Sequence, residues 1–88
     1  MGGWDATGFR VYKGKTPVIE PRTVLIGLTW TAQTRTVTTE RAEWLGLTQA
    51  GAAAKAATAG WTITSREVMG PSAQWRVVEE KITYGAWS

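Results

Sequence analysis

TVLIGLTWTAQTRTVTTE, residues 23–40, is the stretch on which the fold reading turns, because it is dense in β-branched and aromatic residues. Val24, Ile26, Leu28 and Trp30 recur at period two with polar residues mostly between them, the signature of a half-buried strand. The run is long against the roughly five or six residues of an ordinary strand, so it predicts a bend or bulge near Gly27 or near Ala32 and Gln33. Beyond Ala32 the alternation sets Thr34, Thr36 and Thr38 against Arg35, Val37 and Thr39, which predicts an end that projects past the core.

Downstream the periodicity changes. Thr48 stands where an N-cap belongs, QAGAAAKAATA follows, and Gly60 closes it, so a helix is expected from Thr48 or Gln49 to Ala59. Its stripe of Ala50, Ala53, Ala54 and Ala57 is smooth and adds little apolar area, leaving Trp44, Leu45 and Leu47 to supply volume. WTITSREVM over residues 61–69 alternates again, Gly70-Pro71-Ser72 reads as a turn, and residues 73–87 read as a last strand, giving a β-hairpin. In that last strand Trp75 and Val77 share one parity while Val78, Ile82 and Tyr84 share the other, so either both faces are covered or a bulge near Val77 and Val78 shifts the register; the bulge is the preferred reading.

Upstream, residues 1–22 carry four of the ten Gly and two of the three Pro, a density that opposes regular structure and predicts an extended arm. Trp4, Phe9, Val11, Tyr12, Val18 and Ile19 nevertheless require cover, either on the arm's own domain or on a neighbouring subunit. A short strand at Phe9 to Tyr12, or a two-stranded ribbon from Phe9 to Ile19, fits the same residues. The expected fold is thus α+β: one short Ala-rich helix on a largely antiparallel sheet of about three strands in the order β-α-β-β, with residues 1–22 as the arm and 23–88 as a single small domain. One helix covers one sheet face, and the bare face calls for a partner.

Eighty-eight residues allow one core, and a chain this short is marginal by surface-to-volume scaling. With no Cys and no His it has neither disulfide nor zinc clip, and it lacks the imidazole and thiolate from which the commonest catalytic and metal-binding constellations are built. The composition therefore argues against an enzyme and implies no cofactor and no metal. Glu79 and Glu80 are strand neighbours that point to opposite faces, so they form no carboxylate dyad. Gly46 and Gly51 flank the helix start without the lysine of a phosphate-binding loop. No apolar stretch approaches the roughly 20 residues of a membrane span and MGGWDATGFR lacks signal-peptide character, so synthesis in a cytoplasm and no membrane association are expected.

Six Trp, at 4, 30, 44, 61, 75 and 87, serve as core filler or as interface anchors. Trp30, Trp61 and Trp75 are assigned to the intramolecular core. Trp4, Phe9, Tyr12, Tyr84 and Trp87, near the two ends, are the interface candidates. A second arrangement places Trp30, Arg35, Arg66, Trp75 and Arg76 on an open sheet face that stacks on polysaccharide or single-stranded nucleic acid. The net charge of +3 is spread along the chain, less concentrated than nucleic-acid readers usually show, which argues against that partner.

An aromatic arm punctuated by Gly and Pro, a β-rich body with the step GLTQAGAAAKAATAGW between strands, and the tail YGAWS together resemble the small structural proteins of tailed phages and prophages, found in heads, tails and baseplates. The resemblance implies a virion or phage-like particle component present in many copies, docking through its termini on other copies of itself or on other structural proteins.

Overall fold

In the computed structural model, which describes residues 8–88, the chain forms β1 (Phe9–Ile26), β2 (Thr29–Leu47), α1 (Gln49–Ala54), β3 (Thr62–Met69), a 3-10 turn (Gly70–Ser72) and β4 (Gln74–Tyr84). The strands make one sheet in the order β1-β2-β4-β3, each neighbouring pair antiparallel. This corrects the expected three-stranded β-α-β-β unit, since the protein is mostly β with four strands and one short helix. The extra strand comes from two places misjudged together. Residues 23–40 hold the tip of a hairpin in which Ile26 faces Thr29, and from Phe9 onward the expected arm belongs to β1. Gly27 at φ 63 is the first central residue of the two-residue loop, the position where a type II′ hairpin turn requires positive φ.

Pro17 and Pro21 oppose Thr38 and Thr34 within β1. Proline lacks the N–H of a ladder, which an outermost strand tolerates on its outward side. β1 runs through Arg22 and Thr23 without a break, so removal of residues 1–22 takes most of a strand with it. Trp4 lies outside the described residues.

β4 pairs β2 from Val37 to Leu47, so β1 and β2 run on beyond the four-stranded body as a ribbon. The molecule measures 68 × 18 × 17 Å with a radius of gyration of 18.8 Å, where a compact chain of this length has about 12 Å. Among the described residues no helix is long and apolar enough to cross a membrane.

The core sits at the body end. Leu47, Ala52 and Val77 are fully buried, with Trp44, Ile63 and Trp75 packed against them beneath α1. Val78 is buried too, on the opposite face, so Val77 and Val78 are both covered while β4 itself keeps its register. The slips lie in its partners, between Ile63 and Ser65 in β3 and between Trp44 and Leu47 in β2, where Gly46 takes φ 73. This replaces the bulge expected in β4 itself.

α1 is shorter than its alanines predict. Thr48 does cap it, its hydroxyl accepting from the Gly51 amide at 3.0 Å, but Lys55 is already extended at ψ 123. Tertiary bonds override propensity here. The Arg66 guanidinium donates to the carbonyls of Ala52 (2.9 Å) and Lys55 (3.1 Å), taking groups that would continue the helix. Three residues on, the Thr58 amide and hydroxyl donate to Glu79 at 2.9 and 2.6 Å.

Glu79, fully buried, also accepts from Arg10 at 2.8 Å. Arg10 belongs to β1 and Glu79 to β4, so the bond spans β2, where Ala42 opposes Glu79 and offers only a methyl group in the way. Burial pushes the Glu79 carboxyl up, but the Thr58 amide, the Thr58 hydroxyl and Arg10 outweigh it and hold the carboxyl below the usual range.

Candidate functional site

Directly opposed residues of a sheet share a face, so the register assigns every ribbon side chain to the face that α1 covers in the body or to the open face. On the helix face β1 presents Pro17, Ile19, Pro21, Thr23 and Leu25, and β2 presents Trp30, Ala32, Thr34, Thr36 and Thr38. None carries a charge. In the body this same face is roofed by α1, whereas on the ribbon Ile19, Leu25 and Trp30 are 63%, 53% and 69% exposed. The apolar character continues around the apex, with Ile26 at 54% and Leu28 at 99% exposure. From Thr23 to Thr34 the chain has no ionisable residue, and Arg22 and Arg35 bracket the stretch.

The open face of the ribbon is different in kind. Residues 85–88 continue beside β2 after β4 ends, with the Gly85 amide donating to Thr36 and Ser88 and Thr34 exchanging amide and carbonyl bonds at 3.0 and 3.1 Å. That path sets Trp87 over the ribbon, where the Arg22 and Arg35 guanidiniums lie 4.1 and 4.5 Å from its ring centre. Arg35 also stacks 4.5 Å from Tyr84 and pairs with Glu20 at 2.7 Å, and Arg22 donates to Gln33 at 2.8 Å. In the body, Arg41 and Arg76 fold onto Glu43, and Arg76 also onto Glu67. These cations are already engaged within the chain. An open groove of about 420 Å³ beside the β1 register slip is lined by Lys13, Gly14, Thr16, Thr39, Arg41 and Glu80, charges of both signs.

The residues singled out from sequence distribute as follows. Phe9 and Tyr12 are about half exposed at the body end, 53% and 51%. Tyr84 and Trp87 sit together over the ribbon, held by Arg22 and Arg35. Trp30, Arg66 and Trp75 fall on the helix face, whereas Arg35 and Arg76 fall on the open face. These five therefore share no surface. Trp30 is a correction, because it lies on the ribbon beyond the reach of α1 and is exposed rather than in the core. Trp75 packs into the core and the half-buried Trp61 ring lies 4.5 Å beneath the Arg10 guanidinium. Sequence reasoning marked Ile19 as needing cover but passed over Leu25, Ile26 and Leu28 as a surface. Their signal was the uncharged stretch centred on a Gly-x turn.

No protein-family model, no curated protein and no solved structure matches this chain.

Proposed function

We propose that this chain is a non-enzymatic structural protein acting in many copies, as a component of a phage or phage-like particle. One observation carries the reading: a two-stranded ribbon projects from the body, and its apolar apex and one uncharged face, with Ile19, Leu25 and Trp30 exposed, are covered by no other described residue. Soluble monomers rarely leave contiguous apolar patches bare, and such patches mark contact surfaces. The stack of Arg22, Trp87, Arg35 and Tyr84 clamps the tail to the other ribbon face, so little further order is lost on docking. The edge of β1 is unsuited to strand addition, with a register slip at Lys13, lysines at 13 and 15, and prolines at 17 and 21. These features favour the face and apex over the β1 edge as the contact. Resemblance to small tailed-phage and prophage proteins supports the particle assignment.

Light scattering coupled to size exclusion over a concentration series, with negative-stain imaging of any large species, tests the reading. Rings, tubes or shells are expected. A chain that stays monomeric at every concentration, and also fails to join the other structural proteins of a particle, contradicts it.

A further inference from the structure

We infer that residues 85–88 are a strap seated in a strand-addition site on the edge of β2 turned away from β1. With the assembly reading as premise, the site takes the same segment from a neighbouring copy when the strap lifts. Strand pairing dictates where the site lies. Thr34 opposes Pro21, which has no N–H to give, so the Thr34 amide and carbonyl turn away from β1 and toward the strap. Thr36 has the same phase, and its carbonyl accepts from the Gly85 amide at 2.7 Å. Trp30 and Ala32 share that phase, and no described residue pairs with their outward groups. From Thr29 to Thr36 this edge holds neither proline nor lysine, the residues that spoil the β1 edge for pairing.

The strap is seated in the site rather than continuing β4, which ends at Tyr84. Gly85 meets Thr36 and Ser88 meets Thr34, so three steps along the strap match two along β2. The resulting bulge sets Trp87 against the guanidiniums of Arg22 and Arg35. These contacts are of the kind an incoming peptide makes, with backbone bonds for affinity and a side-chain socket for specificity. At Gly85 a Cβ would come within 3.1 Å of the Thr36 carbonyl oxygen, so the site selects glycine there. The ligand it specifies is an extended, uncharged segment with glycine two residues before an aromatic ring. Few bonds hold the strap and most of it is exposed, which places its lifting among the least costly openings of the native state. Exchange between copies re-forms the same contacts, a low-cost way of joining them.

Trp87→Ala in the full chain frees the site, and a capped peptide with the sequence of residues 84–88, YGAWS, stands in for the other copy's segment. The Thr34 and Thr36 amide resonances are expected to shift as this peptide is titrated, and to stay in place with a peptide carrying alanine for the tryptophan. The native chain, whose own strap competes at high effective concentration, is expected to bind roughly tenfold more weakly. Adding Arg35→Ala to Trp87→Ala is expected to abolish binding, while unchanged resonances around Ala42 show that the body stays folded. No response in the Trp87→Ala chain, or equal responses to the two peptides, overturns the inference. So does equal binding by the native and Trp87→Ala chains, which puts the peptide elsewhere. The shifts are read on the chain whether or not it assembles, so failure here is told apart from failure of the assembly reading, which the concentration series detects.

Discussion

Arg10 and Glu79 lie 69 residues apart in sequence and 2.8 Å apart in space, joined across an intervening strand. With Thr58 they tie the outermost strand, an inner strand and the segment after α1 to one buried carboxylate. Because that carboxyl titrates below its unfolded value, its contribution is complete above the unfolded pKa of about 4.3 and is lost as pH falls through the lower folded value. Glu79→Gln is expected to cost about 2 kcal/mol at neutral pH, since charge-assisted bonds become neutral ones. It should also flatten the acid limb of the stability profile, measured by urea denaturation between pH 7 and pH 3. An unchanged acid limb would show that Glu79 is not the group responsible.

Arg66 ends α1 by taking two carbonyls that a longer helix would use. Arg66→Ala leaves them to water and should cost about 1–2 kcal/mol, the range for losing charged hydrogen bonds at a partly exposed site. Far-UV circular dichroism should show equal or greater helix content, as the alanines after Lys55 regain their preference. A fall in helicity at full stability would contradict this account of why the helix stops.

The apex turn depends on Gly27 at φ 63. A β-branched residue there is strained, and Gly27→Val should destabilise by about 1–2 kcal/mol. The double change Gly27→Asn with Leu28→Gly supplies the sequence of a type I′ turn and should keep the two-residue register. Thermal unfolding of both variants separates turn geometry from the loss of the Leu28 side chain.

Trp87 bridges Arg22 and Arg35 on the open face. Trp87→Ala removes two cation–π contacts, each about 0.5–1 kcal/mol at an exposed site. The tail should then detach locally, and the Thr34 amide, which donates to Ser88, should lose hydrogen-exchange protection while the Ala42 region keeps it. Protection unchanged at Thr34 would mean the backbone bonds hold the tail without the ring.

The hairpin of β3 and β4, the Thr48 cap and the opposite orientations of Glu79 and Glu80 were legible because each depends on neighbours in sequence. The ribbon was not. Gly27 interrupts a period-two pattern that reads equally well as one bent strand, and Pro17 and Pro21 look like loop residues until an edge position is known. The length of α1 was hidden for a different reason, since Arg66 and Glu79, which end it and hold the next segment, are brought there by tertiary pairing. The proposed contact surface was half legible. The stretch from Thr23 to Thr34 is visibly uncharged, but only the register shows that Ile19, Leu25 and Trp30 lie together on one face.

The central claim is that the bare ribbon face joins copies together. Sedimentation velocity of the full chain and of Trp30→Asp, over the same concentration series, tests it most directly. The account predicts concentration-dependent larger species for the native chain, a monomer for Trp30→Asp, and melting temperatures that agree, because Trp30 lies outside the core. Identical assembly by both proteins, or a native chain that stays monomeric throughout and also fails to join other structural proteins of a particle, would contradict it.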